Sequence, residues 1–234
     1  MARHPRLSPA NIPQHVIQRG NNRTDCFKNE NDYIAYIYWL KKFSVKFKVN
    51  IHAWVLMTNH VHLLCTPQTN NCGVSNMMQS LGRMYVRQFN QKYGRTGTLW
   101  EGRFKSCLVN SDQYLMTLYK YIELNPVRAN MVLSPAEYKW SSYRINALGV
   151  KSSLCAPHSI YLSLAKSERQ RLNAYRKLFE SEIPQALVEH IQQHSHRELV
   201  LGDHAFKRYI EKLTGCRLKS EKLGRPAVEA LEAL

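Results

Sequence analysis

The sequence predicts an α+β protein with a ferredoxin-like, or RRM-like, antiparallel sheet, helices on one face of that sheet, and a C-terminal helical extension. Between residues 12 and 109 the patterns follow the order strand, helix, strand, strand, helix, strand, which is typical of this split fold. From about residue 150 onward the patterns are helical. With 234 residues, 44% of them apolar, the chain is long enough to bury a substantial core.

The first predicted strand covers residues 12–19 and ends at the Gly-Asn-Asn turn of residues 20–22. His15, Ile17 and Arg19 share one face of this strand, because successive side chains of a strand point to opposite sides. Arg19, beside the turn, is equally well explained as a phosphate or base contact and as a solvated surface residue.

The later elements of the sheet domain follow from apolar spacing, capping residues and the breaks at Pro67 and Pro126. They are a helix over 33–47, strands over 50–57 and 60–66, a helix over 74–93, an extended segment over 98–109, and a helix over 113–124.

His60 and His62 are the first candidate site residues. They alternate with Val61 in a strand, so both imidazoles lie on one face, about 7 Å apart along the chain. Two imidazoles so placed can bind one divalent metal ion. An isolated His-x-His is explained at least as well by a surface strand that carries two histidines by chance.

Tyr121 and Asn125 lie one turn apart on one face of the helix over 113–124. A tyrosine can act as a nucleophile toward phosphorus, and an amide oxygen is a hard ligand for a metal ion. From the spacing alone, packing of Tyr114 and Tyr121 in the core is the stronger interpretation.

The charge of the chain favours a polyanionic partner. Lys and Arg number 33 against 17 Asp and Glu, a net charge of +16, which points to nucleic acid first and to an anionic membrane surface second. A basic protein without a polyanionic partner is the alternative. No apolar run approaches the roughly 20 residues of a membrane span, and the six cysteines form no Cys-x-x-Cys pair. We therefore expect reduced thiols, a cytoplasmic location and no membrane association.

Three segments together, residues 58–64, 99–106 and 121–129, resemble the REP-associated tyrosine transposases of the single-tyrosine HUH superfamily. The resemblance covers roughly residues 10–145. It implies a bacterial, nucleoid-associated enzyme that cuts and rejoins single-stranded DNA with Mg²⁺ or Mn²⁺. It also implies the roles of four residues: Tyr121 as the nucleophile, and His60, His62 and Asn125 as metal ligands.

The same resemblance implies a folded DNA substrate, a single-stranded REP-like or BIME-like hairpin with a short guide sequence at its foot. Arg19 and Asn21 match the Arg-Gly-Asn turn of the family's first strand. Trp100 can stack on a base, although a core position explains it better. The candidate DNA contacts are Arg19, Asn21, Arg83, Arg87, Arg95, Trp100, Arg103, Lys105 and Arg128.

We expect three parts of the chain: the transposase domain over 1–148, the helical extension over 149–220, and a disordered tail over 221–234. The extension has a DNA-binding or a packing role. Two other functions stay open, a non-catalytic DNA-binding regulator descended from such an enzyme and a metal-dependent hydrolase in which water attacks phosphorus. The protein is expected to act as a monomer or a homodimer.

Overall fold

The computed structural model describes residues 6–70 and 72–218 and contains a four-stranded antiparallel sheet. The strand order across the sheet is β2-β3-β1-β4. The strands are β1 Gln14–Arg19, β2 Val49–Leu56, β3 His60–Pro67 and β4 Lys105–Leu108. This arrangement confirms the α+β class and the antiparallel sheet that the sequence predicts.

Nine α-helices occur in the described part of the chain, together with two short 3-10 turns at Asn21–Arg23 and Pro135–Glu137. The helices are α1 Glu30–Lys46, α2 Gly73–Tyr93, α3 Ser111–Glu123, α4 Asn125–Arg128, α5 Tyr143–Asn146, α6 Ser159–Leu162, α7 Glu168–Lys177, α8 Gln185–Arg197 and α9 His204–Thr214. None of the described helices is long and apolar enough to cross a membrane.

One face of the sheet is covered by α1 and α2, as the sequence predicts. A capping box begins α1, in which Asn29 and Asp32 each bond the backbone N–H of the other. Alternate residues of the strands, such as Val16 and Leu63, are buried with the apolar side chains of the two helices. This face carries the larger aromatic cluster of the protein.

The other face of the sheet is covered as well, by α3 and α8. Val55 and Leu64 of the strands pack there with Leu118 of α3 and Ile191 of α8. The two helices between the strands thus cover one face, as predicted, and α3 together with α8 of the C-terminal extension covers the other. The apolar stripes of α3 and α8 can be buried only against another apolar surface, and the second face supplies it.

The predicted extended segment over 98–109 forms two separate pairings with β1. Lys105–Leu108 is β4, whereas Leu99 and Glu101 bond the backbone of Asn21 and Arg19 at 2.9 Å each. Gly102, at φ +107° between the two pairings, adopts a conformation that favours glycine. The segment therefore bends at the sheet edge instead of continuing as one strand.

The region after residue 149 shares the core of the sheet domain. Tyr161, Tyr175, Val188 and Leu201 are buried in one cluster with α3 and the second face of the sheet. The expected tail over 221–234 lies outside the described residues.

A buried carboxyl group, Glu123 at the end of α3, joins this region to the sheet domain. It accepts hydrogen bonds from Ser142 (2.5 Å), Asn146 (2.8 Å) and Tyr175 (2.6 Å). Burial raises the pKa of Glu123 from 4.5 to about 7, although the three hydrogen bonds act in the opposite direction.

We predict that this carboxyl group makes the protein less stable as pH rises from about 4.5 to 7. The unfolded state loses the proton of Glu123 near pH 4.5, whereas the folded state keeps it until about 7. The free energy of unfolding of the wild type should therefore fall by about 3 kcal/mol relative to Glu123→Gln between pH 4 and pH 8. Urea unfolding across this range measures the difference.

The exposed Glu180 provides the matched control, because Glu180→Gln should leave the pH dependence of the wild type unchanged. Equal pH dependence in the wild type and in Glu123→Gln would contradict the assignment of the raised pKa to this carboxyl group.

Candidate active site

His60 stands at the start of β3 with its side chain half-buried. Its Nδ1 is 2.6 Å from the side-chain oxygen of Asn59, and the amide nitrogen of Asn59 donates to the carbonyl of Arg23 at 3.2 Å. That second bond fixes the amide orientation, so the oxygen faces His60 and can only accept. His60 therefore carries its hydrogen on Nδ1 and keeps a lone pair on Nε2.

His62 is buried and belongs to a hydrogen-bonded chain that we call the histidine relay: Ser195, His15 and His62. The Nδ1 of His62 is 2.9 Å from the Nε2 of His15, and the Nδ1 of His15 is 2.8 Å from the Oγ of Ser195. All three residues are at most 4% exposed. The relay links β3 through β1 to α8, across 180 residues of sequence.

Two protonation patterns satisfy this relay. In one, His62 donates from Nδ1 to His15, and His15 donates to Ser195, which leaves a lone pair on the Nε2 of His62. In the other, Ser195 donates to His15, and His15 donates to His62, which puts a hydrogen on that Nε2. Only the first pattern leaves His62 able to bind a metal ion.

The three histidines are neutral at pH 7. Burial lowers the pKa of His15 to about 3 and of His60 to about 4, and the electrostatic effect of His196 on the first and of Arg19 on the second lowers each further. Burial, followed by His60 and His15, lowers the pKa of His62 well below its usual value. A neutral imidazole is the form that binds metal ions.

Tyr121, in the last turn of α3, lies directly against the histidines. Its ring is edge-on to His15 and to His62, with 5.9 Å between centroids in both pairs. The guanidinium of Arg128 lies 5.2 Å from the ring centroid on another side, which is a cation–π distance.

The hydroxyl of Tyr121 has no hydrogen-bond partner among residues 6–70 and 72–218. The residue is 4% exposed. The ring is therefore packed against its neighbours.

Asn125 follows Tyr121 by one turn, as predicted, and its side-chain nitrogen donates to the carbonyl of Tyr121 at 3.0 Å. Its amide oxygen is thereby left as an acceptor. In the described part of the chain no three His, Cys, Asp or Glu side chains are placed to hold a metal ion. A metal site at His60 and His62 therefore needs a third donor of another kind, which an amide oxygen can supply.

Three of the predicted DNA contacts lie on the tyrosine side of the sheet. In the register of the sheet, Arg19 lies opposite His60 and Lys105 lies opposite Ile17. Because residues opposite each other point to the same face, both basic side chains are on the face of the histidines. Arg128 covers the tyrosine ring. Asn21 serves the turn after β1, where its carbonyl accepts from the hydroxyl of Thr24 at 2.7 Å.

The other predicted contacts lie elsewhere. Arg83 and Arg103 line a cavity on the α2 side of the sheet, and Arg95 lines a smaller one beside Arg23 and Lys28. Arg87 is exposed on α2.

Trp100 does not fit the predicted role of base stacking. It is 5% exposed and its ring stacks on Tyr85 at 6.1 Å, edge-on to Tyr36. Both aromatic partners belong to the core. The ring face of Trp100 is therefore occupied, and we correct that expectation.

Sequence reasoning assigned no role to His15 or Ser195. For His15 a signal was present, because it shares a strand face with Ile17 and Arg19 and its ring carries two polar nitrogens. For Ser195 no sequence signal exists, since only the packing of α8 against β1 and β4 brings it to the site.

Two transposases are among the solved structures that match this chain. A REP-associated tyrosine transposase bound to a REP hairpin is 18% identical, covers 68% of this chain and 93% of its own, and has a TM-score of 0.51. A transposase candidate from Deinococcus radiodurans is 18% identical over 51% of this chain and 95% of its own, with a TM-score of 0.36. At these identities the first likeness shows the fold alone. No curated protein matches the sequence.

The sequence model of the IS200-like transposases matches residues 9–125, which is half of the 234 residues. The matched part contains β1 to β4 and the end of α3, and with them the two histidines of β3 and Tyr121. The protein therefore belongs to the IS200-like transposase family and is a DNA transposase of the single-tyrosine HUH type.

Proposed function

We propose that this transposase cuts and rejoins single-stranded, hairpin-containing DNA of the REP type through a 5′-phosphotyrosine intermediate at Tyr121. The observation that carries the proposal is the contact between Tyr121 and His62, at 5.9 Å between ring centroids. It puts a nucleophile of suitable chemistry beside a neutral imidazole whose Nε2 is available for a metal ion when Nδ1 donates to His15.

His60, His62 and Asn125 would hold one Mg²⁺ or Mn²⁺ ion. When bound, such an ion polarises the scissile phosphate and positions it as a Lewis acid. The two histidines fit this role because their Nδ1 atoms are engaged by Asn59 and His15, so that in each ring Nε2 is left for a metal ion when Nδ1 carries the hydrogen. Neighbours that orient histidine ligands in this way strengthen metal binding.

In the proposed reaction the phenol oxygen of Tyr121 attacks the phosphorus of one phosphodiester. The bond from phosphorus to the 3′ oxygen breaks, the phenol proton is released, and the 3′ oxygen takes up a proton as a 3′-OH. The 5′ phosphate is now esterified to Tyr121. Attack of a second 3′-OH on that ester reverses these steps and joins new ends, so no external energy source is needed.

The basic residues on the tyrosine side are suited to hold the DNA during this exchange. Arg128 restrains the tyrosine ring and carries a positive charge beside it. Arg19 and Lys105 lie on the same face as the histidines, where they can bind phosphates on both sides of the scissile one. We infer that binding weakens steeply as salt concentration rises, in keeping with the net charge of +16.

The hairpin substrate is supported by the solved transposase of similar fold, which is bound to a REP hairpin. We propose that the protein acts in the bacterial cytoplasm on nucleoid DNA, as a monomer or a homodimer. We also propose that residues 149–220 belong to the catalytic unit, because Ser195 of α8 completes the histidine relay.

We predict a covalent protein–DNA adduct that requires Tyr121. The protein, with Mn²⁺ or Mg²⁺, would be mixed with a labelled single-stranded hairpin taken from DNA that flanks its own gene. A denaturing gel should show a protein-linked band that is lost with EDTA and at least about 10³-fold reduced in Tyr121→Phe, since no other group replaces the nucleophile.

Tyr114→Phe is the matched control, because Tyr114 lies on α3 but is not in ring contact with His15 or His62. Cleavage that survives Tyr121→Phe would assign the attack to water and identify a hydrolase. Tight hairpin binding without cleavage would identify a DNA-binding regulator.

We also predict that the histidine relay sets the metal affinity. His15→Leu should weaken Mn²⁺ binding by roughly 10- to 100-fold, because the Nδ1 hydrogen of His62 then has no acceptor. His15→Gln should recover part of the loss, since its amide oxygen can accept that hydrogen, and Ser195→Ala should show a smaller loss. Calorimetric titration of the DNA-free protein with Mn²⁺ measures these affinities.

The control for removing a buried histidine is His52→Leu. His52 also lies in the sheet and bonds Ala156 (2.7 Å) and Thr66 (2.8 Å), so its loss should lower stability but leave Mn²⁺ binding unchanged. Unaltered Mn²⁺ affinity in His15→Leu would show that the relay does not orient His62.

A further inference from the structure

A cavity of about 580 Å³ lies on the side of the sheet opposite Tyr121, between α2, β1 and the chain that precedes β4. Gln18 lines it, and Gln18 points to the other face from its neighbour Arg19 because the two alternate along β1. Apolar groups form much of its wall, among them Met78, Val86 and Phe104. The single-tyrosine chemistry described above uses no residue of this cavity wall.

Two buried polar atoms at this cavity have no hydrogen-bond partner in the described structure: the side-chain oxygen of Gln18 and the indole nitrogen of Trp100. The two residues are 7% and 5% exposed. One atom is an acceptor and the other a donor. Buried polar groups are rarely left unpaired, since each has lost its bonds to water. The two atoms together therefore indicate a ligand that offers a donor to Gln18 and an acceptor to Trp100.

Gly82, in the middle of α2, faces the same two side chains. A Cβ atom built there would lie 3.7 Å from the indole nitrogen of Trp100 and 4.0 Å from the amide nitrogen of Gln18. These are ordinary contacts, and the residue is helical, so neither packing nor backbone geometry requires a glycine. A glycine is a poor helix former, and its effect here is to leave the width of one methyl group beside the two side chains that carry the unpaired atoms.

The mouth of the cavity is basic. Arg83 of α2 and Arg103 are exposed, and no acidic side chain lines the cavity. An apolar interior with one acceptor and one donor, and arginines at the entrance, matches the parts of a nucleotide: a flat base with a mixed donor and acceptor edge, and a phosphate.

We propose that this cavity binds one unpaired nucleotide of the DNA substrate, with the base against Gln18 and Trp100 and the phosphate at Arg83 and Arg103. The base meets the N–H edge of Trp100, since the ring face is packed on Tyr85. This inference rests on the proposed function only in that single-stranded DNA is the source of the nucleotide.

A path connects this cavity with the tyrosine side. β4 is an edge strand of the sheet. Arg103 stands at the cavity just before β4, and Lys105, two residues later, lies on the face of the histidines. A single strand that passes around this edge contacts both residues, so the cavity holds a nucleotide outside the scissile position.

The test uses the Tyr121→Phe protein without metal, so that no cleavage occurs and the result does not depend on the transposase chemistry. The chain has four tryptophans, and the indole N–H signal of Trp100 is assigned in ¹H–¹⁵N spectra by Trp100→Phe. We expect this signal to shift saturably when one or more of the four deoxynucleoside 5′-monophosphates is added. Inorganic phosphate, which has no base, should leave it in place.

Gly82→Leu should abolish the shift, because the leucine fills the space beside the indole nitrogen. It should also weaken binding of a hairpin with single-stranded flanks by roughly 5- to 150-fold, the range for loss of one bound base. A blunt hairpin without flanks should bind as before. Gln91→Leu, an exposed position of α2 that does not line the cavity, is the matched control.

Thermal unfolding checks that Gly82→Leu is folded. If it is not, Gly82→Ala replaces it, with a smaller loss of binding and a raised Tm expected from the better helix former. A Trp100 signal that no nucleotide moves, or that phosphate alone moves equally, would overturn the proposal. The proposal would also be overturned if a folded Gly82 variant bound the flanked hairpin with the same affinity as the parent protein.

Discussion

The pairing of β1 with β3 is the constraint on which the site depends. Its register sets Ile17 opposite His62 and Arg19 opposite His60, so His15 lies diagonally across from His62 on the same face. Because α3 and α8 cover this face, both ring nitrogens of His15 and the Nδ1 of His62 have lost water and need partners within the protein. The relay from His62 through His15 to Ser195 satisfies this need, and it holds the histidine ring against Tyr121.

Local patterns predicted the elements and the residues that act within one element. Period-two alternation placed His60 and His62 together, and the residue before Pro126 marked the end of the tyrosine helix, because strand pleating and proline sterics act over a few residues. The relay joins His15 to Ser195 over 180 residues, and no local rule covers such a pair. That α8 packs on the second face could not be predicted for the same reason, because its apolar stripe indicates that the helix is buried but not against which surface.

The region after residue 149 holds α3 at two points. Tyr175 bonds Glu123 at 2.6 Å, and Lys120 donates to the carbonyl and the hydroxyl of Ser181. With Ser195 at the relay, this region contacts both the helix that carries the nucleophile and the strand behind the histidines. Its removal would expose Leu118 and leave the buried Glu123 with fewer donors. The contacts that pack this region on the sheet domain are therefore the same contacts that reach α3 and the histidine relay.

The sheet edge at β4 offers a physical reason for the single-stranded substrate that we propose. Basic residues lie on both sides of this short strand, Arg103 toward the α2 cavity and Lys105 toward the tyrosine. Duplex DNA is stiff over about 150 base pairs and cannot bend around an edge this thin, whereas a single strand can turn between adjacent nucleotides. A polyanion that is bound on both sides of β4 must therefore be unpaired where it crosses the edge, even if it is a hairpin farther along.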